Sequence, residues 1–360
     1  MSLGRRRALA LFSGGLDSIL ACRVLMEQGV EVVALRFITP FFDGDVAGAA
    51  DYSATMQAKY GIHVQVLDVS RDYINMLRAP QHGFGRHFNP CIDCKIFMLR
   101  QARALMPEFQ ASFLATGEVL GQRPMSQRRD TLHLIERESG CAGILLRPLS
   151  ARLLPPTKPE LTGLVDRERL YRLAGRGRKE QQALAEHFNI VDYPAPAGGC
   201  LLADVNLALR FRRLSPGIFG VVRDNGGDSL VDDFRLLLLG RHFEPLPGLW
   251  FILGRDQKDN ERLLALREPG DWLLHMVDRP GPVALLRRGE RVMPNLLAEN
   301  GLDMAGLEAR LAGLVLRYGK KVAGQPASGL VRIERGGPSR VSREEVFAPL
   351  ADELVQDLVV

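Results

Sequence analysis

The string Ser13-Gly14-Gly15-Leu16-Asp17-Ser18 limits what this 360-residue chain can fold into more than any other feature. It follows the apolar run Ala8–Phe12 directly and leads into a helix-like stretch from about Asp17 to Gln28. Two glycines between a strand and a helix remove the Cβ atoms that would keep the backbone away from a phosphate group. Ser13, Ser18 and the amides of the helix start can then donate to phosphate oxygens. Asp17 is the odd member. A carboxylate repels a bare phosphate, so its place here makes sense if it holds a magnesium ion or caps the helix. The patterns Gly-x-x-x-x-Gly-Lys-Ser/Thr and Gly-x-Gly-x-x-Gly are both missing, which sets aside the usual NTPase loop and a dinucleotide fold.

The text around the loop repeats one theme. A strand at Glu31–Phe37, a helix near Ala49–Lys59, a strand at Ile62–Val69, a helix from about Ile92 to Leu105 and a strand at Ser112–Ala115 follow in turn. Strands separated by helices of this length predict βαβ units and a parallel sheet, an α/β fold with its ligand at the carboxyl ends of the strands. A Pro/Gly cluster, Tyr193–Cys200, marks an irregular loop near the end of this region. Beyond it the texture changes. Phe234–Leu239, Leu249–Leu253, Trp272–Met276 and Val283–Leu286 are short apolar segments separated by turn residues, which suits a smaller α+β domain. We therefore expect one domain over 1–205, a second over 206–345 and an acidic, apolar tail over 346–360. Apolar runs fall short of the roughly 18 residues that span a bilayer, and the N-terminal run is too short for a signal peptide. A cytoplasmic protein is the expectation.

Five cysteines, Cys22, Cys91, Cys94, Cys141 and Cys200, are too few and too irregular for a disulfide scaffold. Asn89-Pro90-Cys91-Ile92-Asp93-Cys94-Lys95 sets two thiols three positions apart at a predicted helix start, where thiolate is favoured. Zinc, an iron–sulfur cluster and a dithiol all use this spacing. Cys200 adds a third thiol, and three thiolates leave one position of a [4Fe–4S] cube open, whereas structural zinc wants four closed ligands. Cys22 reads as a small core residue inside a helix.

The loop string resembles the PP-loop of the N-type ATP pyrophosphatases, which split ATP between its α and β phosphates and leave AMP on the acceptor. Three further stretches resemble the tRNA 4-thiouridine synthetases and tRNA 2-thiouridylases within that superfamily. They are Ala115–Gln122 with Ser126-Gln127, then Leu146-Arg147-Pro148-Leu149, and Cys200 in its Pro/Gly-rich loop. The resemblance runs over about residues 7–203. It implies ATP at Ser13, Gly14, Gly15, Asp17, Ser18 and Gly117, a magnesium ion, and catalytic roles for Asp17, Cys94 and Cys200. It also implies a [4Fe–4S] cluster on Cys91, Cys94 and Cys200, with persulfide chemistry at Cys200 resolved by Cys94 as the competing mechanism. The reaction implied is adenylation of a uridine-type oxygen in tRNA and its replacement by sulfur from sulfide or a persulfide carrier. Adenylation of a small-molecule carboxylate or a sulfur-carrier protein, and a non-catalytic ATP-responsive RNA-binding protein, are the alternatives. Glu118 in this stretch has to be paired or metal-bound, because an isolated buried charge is costly. Arg147 suits either a phosphate or a structural ion pair.

The synthetases carry an RNA-binding module ahead of the loop, for which there is no room before Ser13. RNA contacts are therefore expected after residue 203. There Gly240–Phe243, Gly248–Arg255 and His275–Pro282 resemble, inexactly, the RNA-binding domain of the NFACT family. The formal net charge of +5 is mild, but between Ala309 and Arg343 eight Lys/Arg stand against one acid, Glu334. A charge run is often just a solvated face. With aromatic neighbours it also suits phosphate contact and stacking, so Arg255, Arg317, Lys320 and Lys321 are the expected RNA contacts. Trp250 and Phe251 are expected in the core.

Overall fold

The computed structural model describes residues 6–42, 51–85, 87–195, 200–220, 228–336 and 341–360. Pro196–Gly199 of the cysteine loop and Arg340 of the basic stretch lie outside the described residues. Contacts divide the chain into two compact units, Met1–Val205 and Asn206–Val360.

The first unit runs β1 (Arg7–Leu11), α1 (Leu16–Glu27), β2 (Glu31–Ile38), α2 (Tyr52–Tyr60), β3 (His63–Asp68), α3 (Ser70–Arg78), α4 (Cys91–Leu105), β4 (Phe113–Thr116), α5 (Arg129–Ser139), β5 (Leu145–Leu146), α6 (Lys158–Leu161) and α7 (Lys179–His187). Its sheet is parallel throughout, in the order β3-β2-β1-β4-β5. The central strand β1 buries Ala8, Leu9 and Ala10 on both faces, as a strand covered by helices on each side must. Leu11 pairs with Leu35 of β2 on one flank and with Thr116 of β4 on the other. The chain thus leaves β1 toward β2 and later returns to its opposite side at β4. The strand order reverses at β1, and the crevice at that switch point opens beyond its carboxyl end. Ser13 starts there.

The second unit comprises α8 (Val205–Gly220), α9 (Asp228–Leu236), β6 (Arg241–Phe243), β7 (Trp250–Leu253), α10 (Gln257–Ala265), β8 (Trp272–Met276), β9 (Ala284–Arg287), α11 (Pro294–Glu299), α12 (Met304–Tyr318), β10 (Gly329–Arg335), β11 (Val341–Phe347) and α13 (Asp352–Leu358). Its sheet has the order β11-β10-β8-β9-β7-β6 and is antiparallel. Helix α12 covers one face with Leu307, Leu311, Leu314 and Val315, all fully buried beside Phe251, Leu274 and Leu286. Phe234–Leu239, one of the short apolar segments, is the end of α9 and the turn after it. The basic stretch folds as the end of α12 and the β10–β11 hairpin. The tail from 346 is no appendage: Val355 is buried in this core, and Val360 donates its amide to the His242 carbonyl.

Buried charges in this unit are closed on one another. Arg287, wholly buried, reaches Asp233 and Asp271 at 2.8 and 2.7 Å and Glu268 at 2.5 Å. Glu308, also wholly buried, pairs with Arg335 and Arg343. Among the described residues no helix is long and apolar enough to cross a membrane.

Candidate active site

Beyond β1 the chain turns at Gly14, with φ +73°. A Cβ there would sit 2.5 Å from a nitrogen of Arg36 and 2.9 Å from the Tyr52 hydroxyl, so only glycine fits both the backbone and the space. Gly15 caps α1 with no side-chain hydrogen bond among the described residues, and its carbonyl accepts from the Ser18 amide at 3.0 Å. Ser18 returns its hydroxyl to the Gly15 carbonyl at 2.7 Å, and Ser13 Oγ lies 3.4 Å from both Ser18 Oγ and the Gly15 amide. The loop is a closed turn with two hydroxyls facing one crevice.

Gly117, one residue past β4, locks against this turn. A Cβ on it would come 2.4 Å from the Asp17 carbonyl and 2.6 Å from the Ser18 amide. The next residues complete the wall. Gln122 donates to Asp17 Oδ2 at 3.0 Å, and an Arg178 nitrogen stands 4.0 Å from the same oxygen. Among the described residues Asp17 Oδ1 is buried without a hydrogen-bond partner. Magnesium is commonly held by one or two carboxylates and the substrate's own phosphates. This orphaned oxygen beside the loop therefore fits the ion expected from the sequence.

Glu118 is 3 % exposed and is paired rather than metal-bound. Arg147 reaches its Oε2 at 3.0 Å, Thr116 donates to that oxygen at 3.2 Å, and Lys95 Nζ stands 3.4 Å from Oε1. Burial alone would push its pKa up. The charges of Lys95 and Arg147 and the hydrogen bonds outweigh that and hold it below the usual carboxylate value. Arg147 pairs with Glu136 as well, so of its two expected roles the structure supplies the ion pair.

Two clefts meet at the loop. One, of about 250 Å³, is lined by Ser13, Asp17 and Ser18 together with Cys94, Lys95 and Gly117. The other, of about 500 Å³, has Gly14, Gly15 and Asp17 opposite Arg36, Lys59 and Arg178. Cys94 thus enters the cavity of the loop itself. Burial pushes its thiol up to about 11, against the lowering effect of Tyr73 and Lys95. Cys91 and Cys200 add small upward effects on Cys94, and Cys91 adds one on Cys200, so the three thiols share one neighbourhood. All three are free and partly buried. Among the described residues no group of three or more His, Cys, Asp or Glu converges as a ligand set for a metal ion. The three thiols expected from the sequence to hold a cluster therefore do not converge as a ligand set among the described residues.

Sequence reasoning missed Tyr73, which is fully buried among Phe41, Phe42 and Phe97 and sits against Cys94. It also missed Lys95, Gln122, Arg123 and Arg178 as wall residues. Adjacency to Cys94 could have flagged Lys95; nothing local flags the others. Cys22 is core, as expected, with its thiol pushed up to about 12 by burial.

The family model described as "Thiamine biosynthesis protein (ThiI)" matches residues 4–152. Over those residues the first unit is similar to the PP-loop tRNA-thiolation proteins. A tRNA-specific 2-thiouridylase MnmA of Dehalococcoides mccartyi is 31% identical over 137 residues, 36% of this chain and 38% of its own. A probable tRNA sulfurtransferase of Thermococcus kodakarensis is 26% identical over 146 residues, 40% of this chain and 36% of its own. The chain therefore spans little more than a third of the length of these relatives. A 4-thiouridine synthetase solved as an RNA complex with bound ATP superposes loosely, with a TM-score of 0.33, 20% identity and 51% of each chain covered.

Of the expected RNA contacts, all in the second unit, Arg255 is tied to Asp259 at 2.6 Å and Arg317 to Asp352. Lys320 and Lys321 follow α12, with no acidic partner given to their ammonium groups among the described residues.

Proposed function

We propose that this protein is an ATP-dependent tRNA sulfurtransferase, and that the PP-loop unit performs both half-reactions. In the first, the oxygen of a uridine-type base bonds to the α-phosphorus of ATP, and the bond to the bridging oxygen breaks to release pyrophosphate. In the second, a sulfur nucleophile adds at the same base carbon, the carbon–oxygen bond breaks, and its electron pair leaves on AMP. The first step is needed because uracil oxygen is a very poor leaving group, whereas AMP leaves readily. The observation that carries this reading is that Cys94 and the loop Ser13–Ser18 line one cleft, so sulfur and phosphate chemistry share a wall.

Ser13, Gly14, Gly15, Ser18 and Gly117 would bind the nucleotide through backbone approach and hydroxyl donors. Magnesium, when bound, would neutralise charge on the transferring phosphate. Asp17 would hold it through its unpartnered oxygen, with Gln122 fixing the carboxylate's orientation. Glu118, clamped by Arg147 and Lys95, keeps the β4 end rigid beside the loop. Cys200 is the proposed sulfur-bearing residue and Cys94 its partner. The [4Fe–4S] reading of Cys91, Cys94 and Cys200 rests on their shared neighbourhood alone. The second unit, with its resemblance to an NFACT-type module, is the proposed RNA holder through Lys320, Lys321, Arg255 and Arg317.

Mass spectrometry of nucleosides from cells with and without the gene tests the central claim: a thiolated nucleoside should disappear, and an unchanged set would sink it. Anaerobic purification with iron and sulfide analysis tests the cluster separately. Iron content unchanged in Cys91→Ala would reject Cys91 as a ligand.

A further inference from the structure

Five cations line the two clefts at the loop, and they differ in one respect. Lys59 is held by Asp192, Lys95 by Glu118, and Arg178 stands 4.0 Å from Asp17. Arg36 lies over the Tyr52 ring, 4.8 Å from its centroid. Arg123 alone borders both clefts, and among the described residues no acid is given as a partner for its guanidinium. Its backbone is fixed instead. The amide donates to Gln127 Oε1 at 3.1 Å, and its carbonyl accepts from the Gln127 amide at 3.1 Å. Gln127 is itself buried, so the side chain projects from an anchored turn. Arg123 shares the smaller cleft with Cys94, and its charge has a small lowering effect on the Cys200 thiol.

We infer that Arg123 grips the α-phosphoryl group, first in ATP and then in the base adenylate. The inference rests on the proposed nucleotide reading of the loop and adds a residue to it. An unpaired guanidinium in a cleft is a fork of donors awaiting an anion, and its planar geometry matches two oxygens of one phosphate. The α-phosphoryl is the one phosphate present in both half-reactions, held against the loop in the first and facing the sulfur in the second. Arg123 is the cation that borders the clefts on both sides of that path. Arg178 and Lys95 are already partly neutralised by Asp17 and Glu118, which suits orienting those carboxylates better than binding a new anion.

Calorimetric binding of ATP, AMP and adenosine, with magnesium present, to the full chain and to Arg123→Gln, Arg123→Lys and Lys158→Gln tests this directly; Lys158, on α6, lines neither cleft. Arg123→Gln should weaken both AMP and ATP by at least about tenfold, the worth of a charge-assisted contact. Adenosine affinity should not change, Arg123→Lys should fall between, and Lys158→Gln should bind like the parent. Unchanged AMP affinity in Arg123→Gln overturns the inference. So does a parallel loss of adenosine binding, which means a structural role, or an equal loss in Lys158→Gln, which means bulk charge. Weakening of ATP but not AMP also overturns it, because the contact would then be to the departing phosphates. If the unaltered protein binds neither ATP nor AMP, the proposed function fails before any variant is made.

Discussion

The two units differ in the charge each leaves open. In the second unit Arg287 meets Asp233, Asp271 and Glu268, and Glu308 meets two arginines. The first unit closes Glu118 on Arg147 in the same way, but among the described residues Asp17 keeps an oxygen buried and unpartnered, and exposed Arg123 borders two clefts without an acid. A fold gains nothing from leaving a buried polar atom unmet, since the desolvation cost stays uncompensated. The difference separates charges that hold a structure together from charges kept for a ligand.

The largest effect should come from breaking the ligand side of that comparison. Asp17→Asn retains an oxygen to accept from Gln122 and should leave the unfolding midpoint unchanged. Magnesium-dependent pyrophosphate release with bulk tRNA should fall on the order of a hundredfold, as for loss of one group that stabilises transition-state charge. Wild-type release from Asp17→Asn would remove the carboxylate from the chemistry. On the structural side, Arg287→Leu leaves three carboxylates facing one another, and breaking such a buried cluster costs about 3–5 kcal/mol. Urea unfolding followed by tryptophan fluorescence reads this unit alone, because the chain's two tryptophans, Trp250 and Trp272, both lie in it. A loss under about 1 kcal/mol would mean the cluster is dispensable.

The same distinction sorts the proposed RNA contacts. Among the described residues Lys320 and Lys321 stand without acids, whereas Arg255 is already bound to Asp259. Replacing both lysines by alanine should weaken tRNA binding several-fold and reduce the slope of log affinity against log salt by about 1–2. Arg255→Ala should change that slope less. Filter binding across a salt series checks both, and equal slopes for all three proteins would take Lys320 and Lys321 out of the interface.

What could be read in advance follows from how local each signal is. Strands β1 to β4 and helices α1 and α4 were legible to within one residue because buried parallel strands are unbroken apolar runs with helical text between them. The turn between β1 and α1 was legible because a tight strand-to-helix turn takes small residues at fixed positions. The basic stretch misled for the opposite reason. Its counterions lie outside it, at Glu308 just upstream, at Glu344 just downstream, and at Asp352 in the stretch read as a tail. The alternation of inward Val331 and Ile333 with outward Arg332 and Glu334 was present all along, and counting charge hid the period-2 pattern of a strand. Phe234–Leu239 could not be told from a strand by its apolar run alone. Tyr73 and Arg123 are far in sequence from Cys94, and only the packing of α3 on α4 and the path of the loop after β4 bring them to the site.

Acid should separate the two units more gently. His242 is fully buried, and its Nδ1 accepts from Trp250 Nε1 at 2.9 Å. Burial, with smaller help from Arg210 and Arg255, pushes its pKa down to about 3, so it is neutral when folded. An unfolded histidine titrates near 6.5, so from about pH 6.5 downward the unfolded chain binds a proton that the folded chain refuses. The stability tied to neutral His242 is whole above that value and drains away as pH falls toward 3. His275 is displaced in the same direction, chiefly by burial. Glu118 in the PP-loop unit has the other sign of ionisation: its pKa is lowered, so its contribution is whole above about 4.3 and is lost only in stronger acid. Between pH 6.5 and 4.5, then, these groups weaken the second unit and spare the first. The tryptophan-detected urea midpoint should fall steadily over that range and flatten in His242→Gln, whose side-chain oxygen can still accept from Trp250. A midpoint that ignores pH, or the same slope in the variant, would show that His242 does not carry the effect.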